Sequence, residues 1–337
     1  MLSYRRQIAR MRRVAVQALD AYPLADPVLR FVAHGENTTF RVDAAAPDGR
    51  DRFLLRVHRP GRHGRDVDPA AAVGSELAWL AALRADTDLT VPEPLRTIRG
   101  NLTTTATSAG VPEPRVCSVL RWMDGRVHAA APRPVHLRRL GGVMARLHDH
   151  AGQWRPPPGF VRIRWDWQTF FGDTMVYGGL NAADVWDLLP DDLRRRFHRV
   201  AGRMEHVMTQ LGSSADTVGL IHADLHLDNA LFWRDVVKVI DFDDCGFGYW
   251  LYDIAVALWE LRHRHDYVQF RDALVEGYTQ YRPPPGDLAH LDDFIATREV
   301  AFGLWFTGMA HANPAFRDEL DEVLLNTGRS LDTLTRK

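Results

Sequence analysis

The stretch His222–Asn229 reads HADLHLDN, and DFDD follows at 241–244 after the run ALFWRDVVKVI. Two readings compete for this cluster. His222, Asp224 and His226 alternate as three zinc ligands would along a strand, whereas Asp224, Asn229 and Asp241 make an oxygen site for magnesium and a nucleotide. The zinc reading needs 222–226 to be extended and still lacks a remote ligand or water. The paired histidines elsewhere, His148 with His150 and His263 with His265, are two apart in helical sequence and point away from each other.

Working outward, ALFW and VVKVI flank a polar tip at Arg234-Asp235 and read as a β-hairpin. A two-residue loop pairs Asn229 with Ile240, and a three-residue loop pairs it with Asp241. Either register brings an amide oxygen and a carboxylate to the open end of the hairpin. Hard oxygen ligands suit Mg²⁺, which is bound by one or two protein groups plus substrate phosphates. Asp224, in the loop feeding the hairpin, is placed to orient a hydroxyl and accept its proton.

The rest of the chain sets the scale. Its 337 residues suit two moderate lobes, and 46% hydrophobic content supports a large core. With 42 basic against 43 acidic residues there is no net field for a polyanion, so nucleic acid and membrane surfaces are poor partners and a small molecule is expected. Forty of the 42 basic residues are arginine, Lys238 and Lys337 being the exceptions, which reads as a coding bias. Two distant cysteines, Cys117 and Cys245, suit a reducing cytoplasm. The Arg-rich start lacks the apolar core of a signal peptide and reads as an ordinary first helix. The longest apolar run, LYDIAVALW at 251–259, is too short for a membrane span.

From about residue 28 to 122 the runs VLRFVAH, TTFRVDA, RFLLRVH, PLRTIR, NLTTTAT and RVCSVLRW read as strands. One helix interrupts them, capped by Asp68 and opened by Pro69, with Leu77, Leu80 and Leu83 or Arg84 at helical spacing. Beyond Met123 the periods lengthen. Leu193, Phe197, Val200, Met204, Val207 and Leu211 predict one long amphipathic helix stopped by Gly212, and Leu137, Leu140, Met144 and Leu147 predict another. The architecture expected is α+β and bilobal, a mainly β lobe with a leading helix over 1–122 and a mainly α lobe over 123–337.

HADLHLDN followed by IDFDDCGFGYWLYDIA resembles the catalytic and metal-binding segments of the aminoglycoside phosphotransferase and choline kinase family, which has the protein-kinase-like fold. In flavour it is nearest to the subgroup of bacterial stress-response kinases and type II homoserine kinases. The resemblance implies ATP and Mg²⁺ as cofactors, Asp224 as catalytic base, Asn229 and Asp241 on the metal, and Asp253 as a brace for the catalytic loop. Gly35, Asn37, Thr38 and Thr39 would form the turn over the triphosphate. Arg56 stands where this fold carries a phosphate-gripping lysine, with Glu76 as its partner. Leu120 to Trp122 would offer backbone groups to adenine.

For the acceptor, the aromatic segment RIRWDWQTFFGD at 162–173 and a helix YWLYDIAVALWELRHRHD at 249–266 are candidate walls, with Trp165, Trp167, Phe170 and Trp250 to pack on it. The function expected is transfer of the γ-phosphoryl group to a hydroxyl of a small molecule: an antibiotic, amino alcohol, homoserine-like compound or sugar. The rivals are a stress-response Ser/Thr protein kinase, a nucleotide-binding pseudokinase admitted by Arg56, and a zinc hydrolase.

Overall fold

A computed structural model describes residues 3–47, 49–60, 67–285 and 288–334. The chain divides into two compact units, one of Met1–Ala85, Val91–Asp124 and Pro156–Val161, the other of Asp86–Thr90, Gly125–Arg155 and Arg162–Lys337.

The first unit holds α1 (Tyr4–Leu19), β1 (Ala25–His34), β2 (Thr38–Ala46), β3 (Gly49–Val57), most of α2 (Pro69–Asp86), β4 (Thr103–Ala106) and β5 (Arg115–Arg121). Its five strands form one antiparallel sheet in the order β1-β2-β3-β5-β4. Phe40, Val42 and Ala44 on β2 and Phe53, Leu55 and Val57 on β3 alternate toward one face, as the two-residue strand period requires. That face meets Val14, Ala15, Ala18 and Leu19 of α1, so the leading helix exists to cover the sheet. Helix α2 starts where the sequence places it. The Asp68 carboxylate accepts from the Ala70 and Ala71 amides at 3.3 and 3.0 Å, and Leu77, Leu80 and Leu83 are buried.

One expected strand does not form. PLRTIR at 94–99 makes a single bridge, Pro94 to Leu120. Proline brings no amide to a ladder, and the chain then turns on itself through Thr97 N–H to Asn101 O at 2.8 Å.

The second unit holds α3 (Pro134–Gln153), β6 (Arg164–Trp165), α4 (Trp167–Phe171), β7 (Val176–Tyr177), β8 (Leu180–Asn181), α5 (Ala182–Leu188), α6 (Asp191–Leu211), β9 (Val218–Ile221), β10 (Ala230–Trp233), β11 (Val236–Val239), β12 (Gly246–Tyr249), α7 (Trp250–Trp259), α8 (Tyr267–Thr279), α9 (Leu291–Ala312) and α10 (Leu320–Leu334). The periods read from the sequence for α3 and α6 are their buried faces, except that Leu211 at the end of α6 is only half-buried, and Gly212 ends α6 at φ +64°. The helix expected over 249–266 stops at Trp259. Beyond it Leu261 and Arg262 bond three residues back, to Leu258 and Trp259, and Arg262 turns inward to the buried Glu299 on α9. Glu299 also accepts from Trp259 Nε1 and Ser330 Oγ, both at 2.8 Å, so this turn is tied to α9 and α10.

Helices α3 and α8 approach backbone to backbone. A β-carbon on Gly277 would overlap the Arg138 carbonyl oxygen, and one on Gly141 the Leu274 carbonyl oxygen. Alanine normally stabilises a helix by up to about 1 kcal/mol over glycine. Here overpacking reverses the sign, and Gly277→Ala is expected to destabilise by about 1–3 kcal/mol in chemical denaturation. No helix among the described residues is long and apolar enough to cross a membrane.

Candidate active site

Strand β9 delivers the chain into 222–229, and the hairpin β10–β11 takes it away. The hairpin has the two-residue loop: Trp233 pairs with Val236 and Ala230 with Val239, while Arg234 adopts φ +54°. Ile240 N–H then bonds Asn229 O at 3.0 Å, so Asn229 lies opposite Ile240 and Asp241 follows at the next step. Asp241 is exposed and holds the left-handed conformation, φ +61°, a costly choice for a residue with a β-carbon.

Asn229 is oriented by its own loop. Its Nδ2 donates to the Asp224 carbonyl at 2.8 Å and to Asp224 Oδ2 at 3.0 Å. The amide nitrogen is thereby used, and Oδ1 is the atom left to accept or to ligate, which fits a hard cation. The chemistry of the donor set, one amide oxygen and the Asp241 carboxylate, fits Mg²⁺ in the same way.

Ala223 is also left-handed, φ +67°, and a buried carboxylate holds it there. Asp253 on α7 accepts from His222 N at 3.0 Å and Ala223 N at 2.6 Å. His148 on α3 contacts the same carboxylate through Nε2 at 3.0 Å and Tyr278 Oη through Nδ1 at 2.8 Å. Burial pushes the His148 imidazole down from its ordinary value against the opposing pull of Asp253, and facing a carboxylate at 3.0 Å its Nε2 is the donor. Asp253, His148 and Tyr278 are all fully buried, and together they brace the loop.

The same geometry removes the three-ligand zinc reading. His222 Nε2 donates to the Ile240 carbonyl at 3.0 Å, and Nδ1 accepts from Asp224 N at 3.3 Å, so both ring nitrogens serve the backbone. His226 stands instead with Asp228 and Glu260, 3.7 and 3.8 Å from its Nδ1.

Asp224 carries the partner that sequence reasoning missed. Arg298 on α9 donates from Nη2 to Asp224 Oδ1. Burial would push the Asp224 carboxyl up, but the Arg298 guanidinium and His226 outweigh it and hold it well below the usual carboxylate range. Nothing in the spacing around ATREV at 296–300 signals this contact.

The aromatic segment expected to wall the acceptor does other things. Arg162 reaches the carbonyls of Asp243 and Cys245, and Trp165 Nε1 donates to the Asp244 carbonyl at 2.8 Å, so the segment clamps the DFDD loop. Trp167 Nε1 is bonded to Ala201 O at 2.9 Å, and Phe170 and Trp250 are core.

In the first unit, Arg56 Nη1 meets Glu76 Oε1 at 2.8 Å, with side chains 3% and 0% exposed. Strand register sets Thr39 directly opposite Arg56, which brings two of the expected phosphate contacts to one face of the sheet. Thr39 Oγ1 itself donates to the Ala33 carbonyl at 3.5 Å, and the other expected contacts are committed within the turn. Thr38 Oγ1 bonds His34 Nδ1 at 2.7 Å, and Asn37 Oδ1 accepts from Arg59 N at 3.1 Å. Gly35 has an ordinary φ and open space around it, so the turn does not require glycine there. Leu120 is buried and lies opposite Leu54 on the neighbouring strand, and Trp122 N–H is taken by Arg52 O at 2.9 Å. Arg121 N–H goes to Glu93 O at 2.8 Å, which leaves Met123 as the residue of this segment whose amide has no partner among the described residues.

This site and fold define a kinase-class phosphotransferase. Residues 28–289 match the model of the phosphotransferase enzyme family, and the chain belongs to that family, whose acceptor is an alcohol group. A microcompartment-associated aminopropanol kinase is similar at 29% identity and TM-score 0.75, over 96% of both chains. A homoserine kinase of Rhodopseudomonas palustris is 28% identical over 272 residues, 79% of this chain and 74% of its own. An amicoumacin kinase solved with AMP-PNP, Ca²⁺ and Ami shares the fold at 19% identity and TM-score 0.74, over 98% of this chain and 100% of its own.

Proposed function

We propose that the chain transfers the γ-phosphoryl group of ATP, with Mg²⁺, to the hydroxyl of a small amino alcohol or homoserine-like molecule. The observation that supports it most is the gathering of Asp224, Asn229 and Asp241 at one end of the β10–β11 hairpin, Asn229 bonded to Asp224 and lying opposite Ile240, next to Asp241. The acceptor oxygen attacks the γ-phosphorus, the bond to the β-phosphate oxygen breaks, and the acceptor proton passes to Asp224 as ADP departs. Asn229 and Asp241 would hold Mg²⁺, which would supply charge neutralisation on the phosphate oxygens. In the first unit, taken by itself, Arg56 and Thr39 are the candidates for binding phosphate and the Met123 amide for binding adenine. Names of relatives support the acceptor class: aminopropanol and homoserine each join an amine to a hydroxyl.

The test is a panel of amino alcohols, homoserine, aminoglycosides and sugars incubated with MgATP and read by mass spectrometry for gain of one phosphoryl group. Phosphate arriving on protein alone would replace this reading with a Ser/Thr protein kinase. For the metal, Asp241→Asn is expected to raise the Mg²⁺ concentration for half-maximal turnover by roughly tenfold or more. Mn²⁺ binding followed by electron paramagnetic resonance should weaken in parallel.

A further inference from the structure

Asp224 is held through both oxygens, and by different parts of the unit. Asn229, from the same loop, holds Oδ2 at 3.0 Å, and Arg298, 74 positions further along the chain, holds Oδ1. Arg298 is itself pinned. Its side chain is 16% exposed, its guanidinium carbon stands 5.3 Å from the centre of the Trp259 ring, and the buried Tyr252 hydroxyl and the Asp244 carboxylate are its other polar neighbours. Trp259 is fixed by Glu299, which also takes Arg262 and Ser330. A guanidinium in this setting is permanently charged and cannot swing freely.

A carboxylate beside a triphosphate carries a charge of the wrong sign, and a short side chain left with one hydrogen bond has more than one rotamer. An arginine on Oδ1 addresses both. An ionised carboxyl offers about four lone-pair sites, so two donors still leave room for an acceptor hydroxyl.

We propose that Arg298 is the positioning residue for Asp224: from α9 it locks the carboxylate and balances its charge, so that the acceptor hydroxyl meets one fixed oxygen. This rests on Asp224 being the base. The role belongs to kcat with acceptor, not to nucleotide binding.

The experiment is a double-mutant cycle. Arg298→Gln is expected to lower kcat on the order of 100-fold while the KM for ATP stays at its wild-type value. Arg298→Lys, which keeps the charge, should recover most of the loss. In an Asp224→Asn background the same Arg298→Gln change should alter residual turnover by less than about threefold, because the carboxylate base that Arg298 orients is no longer there. Wild-type kcat in Arg298→Gln, or an undiminished loss in the Asp224→Asn background, overturns the assignment. Full turnover in Asp224→Asn alone sinks the base reading itself.

Discussion

Asp224→Ala is expected to lower kcat by on the order of 10²–10⁴ while MgATP still binds, the range that a positioned general base commands. The expectation follows from what holds the group. Both carboxylate oxygens are engaged by fixed donors, and the two preceding amides, His222 and Ala223, are bonded to Asp253. The loop therefore keeps its shape when the Asp224 side chain is removed, and the loss is chemical. Because Asp224→Ala also takes away the acceptor of the Arg298 hydrogen bond, Asp224→Asn is the companion variant: it removes the charge and the base but is similar in volume and still able to accept from Arg298. Single-turnover kinetics with calorimetric titration of nucleotide separate the two effects. Turnover equal to wild type in both variants would remove Asp224 from the chemistry.

The second large effect concerns Arg56 and Glu76. Their pair is all but sealed from water, and removing one member of a buried pair leaves an uncompensated charge. Glu76→Ala is expected to destabilise the protein by about 3–5 kcal/mol in urea denaturation and to weaken nucleotide binding. The double change Arg56→Met with Glu76→Leu removes both charges and should regain most of that stability. Nucleotide affinity should stay low, since Arg56 is the cation proposed for the phosphates. Recovery of affinity together with stability would show that the pair serves the fold alone.

Much of the site was legible because its residues are close in the chain. From Asn229 to Asp241 the geometry is set by one hairpin, and counting from its polar tip places both ends. The pairing of Arg56 with Glu76 was legible for a different reason, a strand position with its helix partner in a recognisable family. Arg298 was not, because an ion pair spanning 74 residues depends on how α9 packs against the loop, and no local period encodes that packing. The aromatic segment at 162–173 misled for a related reason. Composition marks tryptophan and arginine as ready to meet a ligand, but whether they face one or clamp the carbonyls of a neighbouring loop is decided by tertiary position. PLRTIR failed on a local rule that was available: proline and a following turn argue against a ladder.

The brace under the loop has a further consequence. Asp253 sits on α7, every residue of which is buried, and it grips main-chain amides. The side chains at 222 and 223 are thus not what Asp253 recognises. The curvature of the turn is held from α7 through the main chain alone, and a residue at 223 that accepts the left-handed conformation would leave both Asp253 hydrogen bonds in place.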